Sequence, residues 1–381
     1  MKELSDSRVL IVDDVKANVD VLVQALSGDY QLSVALGGQQ AMDAVNRCAP
    51  DLVLLDIVMP DIDGYEICRR LRAADATREL PIMFLSSLED VKHKARGFEV
   101  GGNDYLTKPF EVLEVKARVR SLLKAKSYAD AVKAAAERDL RIAREIQMGL
   151  LPANLLGEIR NTPLDVHAVL EPARQIGGDL FEVLRLGPER LLVAIGDVSG
   201  KGIPAALFMA VTMTLLRSLA RQGHTPEAIL RLLNDELLTQ NPRGMFVTLQ
   251  CLVFDLGAHT VTCASGGHHG AVRVSPGRQP EFVFTSSGRV LGLMPAEAIL
   301  SETIPLQPGE ALVLFTDGVS EAFNADDELF GDSRLLAQLE KAERSARDMT
   351  LGVLDAVRRH AGSAPQSDDI TVLSVRYDGA S

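Results

Sequence analysis

The chain has 381 residues, 46% of them hydrophobic and 24% charged, with no Trp and a formal net charge of −12. That length exceeds one ordinary core and predicts two domains with a connector. The acidity argues against a nucleic-acid partner, because phosphate recognition needs a basic face. Cys48, Cys68, Cys251 and Cys263 lie in apolar runs without a C-x-x-C pair, the pattern of buried thiols in a reducing compartment. The opening MKELSDSRVLIVDD lacks the apolar stretch of a secretory leader. No run approaches the roughly 18 uninterrupted apolar residues of a membrane helix. A cytoplasmic location without a membrane partner is expected.

Over the first 125 residues, short apolar runs alternate with amphipathic ones. RVLIV (8–12), LSVAL (32–36), DLVLLD (51–56), PIMFLS (81–86) and DYLTK (104–108) read as buried strands. VDVLVQAL, QQAMDAVNRC, GYEICRRLRA and VKHKARGFEV, which lie between them, space their apolar residues as helices do. β then α, five times over, predicts a doubly wound five-stranded parallel sheet with helices on both faces. Chemistry in such folds sits at the carboxyl ends of the strands. Asp13 and Asp14 follow the first strand, Asp56 ends the third, Ser86 ends the fourth, and Lys108 follows the fifth. Three carboxylates on one edge repel one another unless a cation lies among them, and oxygen ligands suit Mg²⁺. Asp56 could then attack a phosphoryl group while a lysine and a hydroxyl hold its oxygens. A lone Asp at a strand end is ordinarily a helix cap, but five suitable residues at strand ends go beyond that explanation.

From Glu111 to Leu151 there is no Pro, and no Gly before Gly149. A 3–4 spacing through Val115, Val119, Leu122, Ala129, Ala136, Leu140, Ala143 and Leu150 predicts one long helix. A two-stranded coiled coil over the linker 125–151 is expected from that seam, although Lys126, Lys133 and Gln147 interrupt it. The alternative is a single amphipathic helix lying on one of the domains.

After Pro152 the texture changes to β-like runs with glycine turns: LDVHAVLEPA, RLLVAIGDV, MFVTLQCLVFD, HTVTCASGG, AVRVS, EFVFT, ALVLFTD and ITVLSVRY. Helical patterns punctuate them at 203–221, 225–239, 334–340 and 347–360. An α+β domain of antiparallel sheets with helices outside follows, and MTLLRSLA reads as packed core. GDVSGKGIPAAL (196–207) superficially resembles a phosphate loop, but only three residues separate Gly196 from Gly200, and Gly202 stands where a Ser or Thr would be needed. The informative residue there is Asp197. Asp179, Asp317 and the pair Asp368–Asp369 likewise lie where apolar runs meet turns. Dispersed aspartates without His or Cys at ligand spacing suit hard cations such as Mg²⁺ or Mn²⁺, and two such ions can activate a water and clamp a displaced phosphate.

LIVDD, LLDIVMPDIDGYE, FLSS and DYLTKPF, spanning 8–110, resemble the receiver domain of two-component response regulators. That resemblance implies a flavodoxin-like fold with Asp56 as phosphoacceptor. It also implies that Asp13, Asp14 and the carbonyl of Val58 join Asp56 around Mg²⁺. Lys108 and Ser86 would contact the phosphoryl group, Tyr105 would be the switch aromatic, and the Lys108–Pro109 bond would be cis.

Residues 171–375 resemble the PPM (PP2C-like) serine/threonine phosphatases of the bacterial sporulation and stress-response branch. The matching stretches are PARQIGGDLFEV, IGDVSGKGIPAALFMA, MFVTL, LFTDGVSEAFN, ELFG and SDDITVLSV, and EIQMGLLP resembles the segment that precedes that domain. By resemblance the domain is a β-sandwich flanked by helices. Asp179, Asp197, Asp317 and Asp368 would bind two Mn²⁺ or Mg²⁺ ions, with Asp197 bridging, the carbonyl of Val198 assisting and Asp369 in reserve for Asp368. Arg174 is a candidate phosphate-binding residue. His268 in SGGHH is structural or else a general acid, and His269 departs from the usual pattern.

The resemblance divides the chain into a receiver (1–124), a helical linker (125–151) and a phosphatase domain (152–381). It implies a response regulator in which a sensor histidine kinase or phosphotransfer protein phosphorylates Asp56 and so controls a protein phosphatase. The substrate would be a phosphoserine protein, an anti-sigma-factor antagonist of a partner-switching pathway, and the linker would make a homodimer. The rival reading is a non-catalytic adaptor that binds a sigma factor or its regulator, a role with no need of the four aspartates.

Overall fold

A computed structural model describes residues 3–87, 91–152, 154–239, 241, 243–285, 288–295, 299–340 and 345–379. It divides into two compact units, 1–138 and 139–381. The division falls inside the expected linker.

In the first unit the order is β1 (Arg8–Val12), α1 (Lys16–Leu26), β2 (Gln31–Ala35), α2 (Gly38–Cys48), β3 (Leu52–Asp56), α3 (Gly64–Ala73), β4 (Ile82–Ser86), α4 (Val91–Glu99) and β5 (Asp104–Thr107). α5 (Val112–Leu150) then runs into the second unit. The sheet is parallel with strand order β2-β1-β3-β4-β5. β3 and β4 are buried along their whole length, which is why they read as unbroken apolar runs without alternation. α1 buries Val19, Leu22, Ala25 and Leu26, one helical stripe. Alternate strand residues feed two cores, one around Leu10, Val53 and Phe84, the other around Ile11, Leu54 and Leu85.

The start of α5 belongs to this second core. Val115, Val119 and Leu123 are buried there, so the first positions of the expected coiled-coil seam pack against the receiver sheet. Further along, Ala129 and Ala136 are exposed, whereas Leu140, Ala143 and Leu150 are half-buried. The expected seam is therefore not one free face. The large apolar residues that α5 leaves exposed beyond Leu123 include Tyr128, Val132, Ile142 and Ile146, a different stripe.

The second unit contains α6 (Leu155–Glu158), β6 (Leu164–Glu171), β7 (Leu180–Arg185), β8 (Arg190–Val198), α7 (Ile203–Ala220), α8 (Pro226–Thr239), β9 (Val247–Asp255), β10 (Thr260–Gly266) and β11 (Ala271–Val274). There follow β12 (Glu281–Val283), β13 (Ser301–Pro305), β14 (Ala311–Phe315), α9 (Asp317–Ser320), α10 (Gly331–Glu340), α11 (Ala346–Ala361) and β15 (Ile370–Tyr377). Two antiparallel sheets, β13-β10-β9-β8-β7 and β12-β11-β14-β15-β6, share one apolar core. α7 and α8 cover the first sheet, and α10 and α11 the second.

Several boundaries differ from the sequence expectation. β14 stops at Phe315 and Asp317 opens the short α9. β12 stops at Val283, because Phe284 has φ +56°. β7 and β13 are strands that sequence patterning missed. β7 carries a buried charge, Glu182, which Arg217 of α7 neutralises, and β13 is an exposed edge strand with little apolar content. α7 is the one helix among the described residues long and apolar enough to meet the length and composition of a membrane span. Phe208, Met209, Met213 and Leu216 on it are buried in the shared core.

Candidate functional site

The receiver cluster lies at the carboxyl edge of its sheet. Asp13, Asp14 and Asp56 bring one carboxylate oxygen each within 4.8 Å of one another. Lys108 Nζ donates to Asp13 Oδ2 and Asp56 Oδ2, both at 2.7 Å. Asp13 is further held by Asn18 Nδ2 at 3.0 Å and by the Val15 N–H at 2.9 Å. Burial raises the pKa of Asp56 above its ordinary value, against the opposing pull of Lys108. Burial alone would lower Lys108, but its bonds to Asp13 and Asp56 outweigh that and raise it. Ser86 is fully buried at the end of β4, its carbonyl accepts from Lys108 N at 2.7 Å, and Tyr105 is buried in β5. Val58 follows Asp56 with an exposed side chain, and Lys108–Pro109 is cis. All five strand-end positions thus meet on one edge. Oxygen donors alone, three of them anionic, fit a hard divalent cation.

The phosphatase aspartates come from four segments. Asp179 precedes β7, Asp197 is the penultimate residue of β8, Asp317 opens α9, and Asp368 lies just before β15. Asp179 is buried, and its Oδ2 accepts from Thr316 Oγ1 at 2.7 Å and Thr371 Oγ1 at 2.5 Å. Burial, then the charges of Asp317, Asp368 and Asp369, push the pKa of Asp197 up to about 7. Burial and the charge of Asp197 push Asp179 well up, and burial with the charge of Asp368 raises Asp317. These carboxyls lie near enough for their charges to raise one another, whereas among the described residues only Asp13, Asp14 and Asp56 bring three carboxylate oxygens within 4.8 Å. The donors are again oxygen only, which fits Mg²⁺ or Mn²⁺.

The tandem pair separates cleanly. Asp369 is buried; its Oδ1 accepts from Ala173 N at 2.8 Å, and its Oδ2 from Gly178 N at 2.7 Å. It fastens the loop that carries Asp179. Gly177 and Gly318 are glycines for the same reason, since a Cβ at either would lie 1.9 Å from an atom of Asp369. Asp368 remains half-exposed, with Lys201 Nζ at 3.1 Å from its Oδ2. Lys201 also donates to Ser367 O at 2.7 Å, so it does more than fill a glycine turn. Arg174 is exposed on the loop that Asp369 fastens and makes no ion pair among the described residues.

His268 is structural in its contacts. Its Nε2–H donates to Phe315 O at 3.0 Å, and its Nδ1 accepts from Thr248 Oγ1 at 2.9 Å. Burial first, then His269, pushes its pKa down to about 3, so near neutrality it is a neutral imidazole whose one N–H is committed to Phe315 O. His269 stacks on it at 4.4 Å.

Sequence reasoning missed Asn18, Thr316, Thr371, Ser199 and the role of Gln147. Gln147, treated as an interruption of the seam, is buried on α5; its Nε2 donates to Gly177 O at 2.6 Å and its Oε1 accepts from Gly177 N at 3.2 Å. The available signal was a polar residue within an apolar stripe, directly before the glycine-free run ends.

Two family models match the chain. The model for stage II sporulation protein E matches residues 187–378, and that for the response regulator receiver domain matches residues 9–120. Protein IcfG of Synechocystis sp. is 26% identical over 96% of this chain and 58% of its own length. The response regulator PleD of Caulobacter vibrioides is 38% identical over 32% of this chain and 28% of its own length. The chain thus spans less than two thirds of these relatives. Among solved structures, the SiaA-PP2C domain of Pseudomonas aeruginosa superposes with a TM-score of 0.57 at 22% identity, over 65% of this chain and 98% of that one. The PP2C phosphatase domain, with a fragment of the regulatory domain, of SpoIIE from Bacillus subtilis gives 0.51 at 20%, over 56% and 63%. Both likenesses establish the fold of the second unit.

Proposed function

The chain belongs to the family of stage II sporulation protein E, with a response-regulator receiver domain preceding the family's PP2C-like phosphatase domain, and from that premise we propose a two-component response regulator whose output is metal-dependent hydrolysis of phosphoserine or phosphothreonine in a protein. One observation carries the reading. Asp179, buried, and Asp197 and Asp317, half-buried, come from separate segments, and on top of burial the charge of Asp197 raises the pKa of Asp179 while that of Asp317 raises Asp197.

Asp179, Asp197, Asp317 and Asp368, with the carbonyl of Val198, would hold two Mn²⁺ or Mg²⁺ ions, and Asp197 would bridge them. Such a pair supplies an activated water and a clamp on the phosphoryl oxygens. The chain itself does the positioning. Thr316 and Thr371 fix one oxygen of Asp179 and do not bond the other. Asp369 acts as the loop fastener and is left out of the ligand set, because backbone N–H groups occupy both its oxygens. Arg174, exposed and without an ion pair among the described residues, is assigned to the phosphoryl oxygens.

In the receiver, Asp56 would take a phosphoryl group from a sensor histidine kinase or phosphotransfer protein, with Mg²⁺ at Asp13, Asp14, Asp56 and the Val58 carbonyl. Lys108, Ser86 and Tyr105 would respond to it. The linker would pair with that of a second copy through Tyr128, Val132, Ala135, Asp139, Ile142 and Ile146, which recur at alternating spacings of four and three and are exposed. β-branched Val132 and Ile146 at one core position favour two strands. The protein substrate would be an anti-sigma-factor antagonist in a cytoplasmic partner-switching pathway.

The test is hydrolysis of an aryl phosphate with Mn²⁺, Mg²⁺ or EDTA, beside Asp197→Ala. Turnover that requires metal and disappears in the variant is expected. Absence of turnover with either metal, with or without acetyl phosphate, would sink the reading and favour the adaptor.

A further inference from the structure

A groove of about 450 Å³ lies between the first turns of α7 and the residues Asn241, Arg243 and Met245. Ile203, Leu207 and Val211, at successive helical turns, form one wall with side chains 54%, 64% and 37% exposed. Met245 and Arg243 form the other. Asn241 does not face a ligand through its polar atoms: it donates to Met245 O and Gly292 O and accepts from Met245 N, which fixes that wall.

Both walls are joined to the turn after Asp197. Residues 198–202 lead directly into Ile203. Ser199 N donates to Phe246 O at 2.9 Å, and Phe246 N donates to Ser199 Oγ at 2.9 Å. A protein that brings a phosphorylated residue to Asp197 has to lay adjoining chain over neighbouring surface, and this apolar groove is continuous with that turn. Arg243 is the one charged residue of the lining, and it has no ion pair among the described residues. A second copy pairing groove to groove would offer it no carboxylate, because the lining contains none.

Resting on the phosphoprotein phosphatase reading, we infer that this groove is a substrate-docking subsite that takes the apolar stripe of an amphipathic helix of the phosphoprotein, with an acidic residue beside the stripe paired to Arg243. An amphipathic helix in an apolar groove is read through anchors at i, i+4 and i+7 or i+8, which matches the spacing of the wall it meets. Such a subsite gives protein substrates an advantage that a small aryl phosphate cannot use.

The test uses the full chain and synthetic phosphoserine peptides of about 20 residues, a little over five helical turns. One carries a helical leucine stripe with a flanking glutamate, a second has the same composition scrambled, and a third has lysine in place of the glutamate. Turnover is followed with Mn²⁺, and binding of fluorescein-labelled peptides is followed by anisotropy in EDTA, so that loss of catalysis does not hide the docking result. The amphipathic acidic peptide is expected to exceed the other two by about tenfold in kcat/KM and in affinity, a difference of about 1.4 kcal/mol. Leu207→Asp should reduce it to the scrambled level, and Arg243→Glu should make the lysine peptide the better one, with p-nitrophenyl phosphate turnover unchanged in both variants. Equal binding of all three peptides, or no effect of either variant, would overturn the inference. So would sedimentation showing a dimer that Leu207→Asp dissociates, which would make the groove a self-interface. Failure of p-nitrophenyl phosphate hydrolysis in the wild type would instead count against the phosphatase reading.

Discussion

Asp368 and Asp369 are chemically identical neighbours with opposite surroundings. Asp369 is buried and satisfied by backbone N–H groups, so Asp369→Ala leaves Ala173 N and Gly178 N unpaired and should destabilise the second unit by about 2–4 kcal/mol, read by urea titration. Asp368 is half-exposed beside Lys201. Asp368→Asn should leave metal-free stability unchanged within about 0.5 kcal/mol while abolishing metal-dependent turnover. Equal destabilisation by the two would refute the division of labour. Asp197 contributes a pH dependence of its own. Its folded pKa, pushed up to about 7, lies above the ordinary 3.8. Between those values the folded state holds a proton that the unfolded state has lost, so its contribution to metal-free stability falls as pH rises through that window. His268, held at about 3, works the other way up to its ordinary 6.5, so the contribution of Asp197 is read as a difference. In EDTA, raising the pH from 5 to 7.5 should cost the wild-type second unit more stability, or gain it less, than Asp197→Asn, and Mn²⁺ should narrow that difference at the higher pH. Parallel melts of wild type and variant across the interval would contradict the assignment.

At the scale of elements, α5 shows what patterning reveals and what it hides. Its existence and extent were legible from the absence of Gly and Pro, and so were the five parallel strands, since buried parallel strands are unbroken apolar runs. Which stripe of α5 faces what was not legible. Val115 and Val119 look like coiled-coil positions until the receiver sheet claims them, and Gln147 looks like a flaw until Gly177 is seen opposite it. The aspartates were readable because strand-to-turn junctions are marked by glycine and apolar runs. Thr316 and Thr371 were not, because a threonine in a strand is ordinarily there for β-propensity. Gln147→Ala should leave the buried N–H and C=O of Gly177 unpaired at a cost of about 1–3 kcal/mol. Because Gly177 belongs to the loop of Asp179, the ratio of turnover with and without acetyl phosphate should also move toward one. A variant as stable and as responsive as the wild type would remove the helix-to-loop link. In the same helix, Ile142→Asp should shift sedimentation toward monomer, whereas Ala136→Asp, off the exposed stripe, should not.

For the molecule as a whole, two acidic sites sit in two units with separate cores, so each can be disabled without dismantling the other. Asp56 is bonded to Lys108, which Asp13 also holds; Asp56→Ala leaves that ion pair in place and removes one of three crowded carboxylates. The receiver should therefore keep its fold, and basal turnover with Mn²⁺ should match the wild type within about twofold, a difference of about 0.4 kcal/mol in barrier. What should vanish is the response to acetyl phosphate, because the attacking carboxylate is gone. Calorimetry separates the two contributions, since units with their own cores need not unfold as one. In Asp56→Ala, Mn²⁺ should raise the transition of the second unit as it does in the wild type, and acetyl phosphate should move neither transition. An Asp56→Ala protein whose turnover still follows acetyl phosphate would mean that control enters elsewhere. One that loses basal turnover would mean that the receiver carboxylate supports the phosphatase fold directly, which the separation of the cores does not suggest.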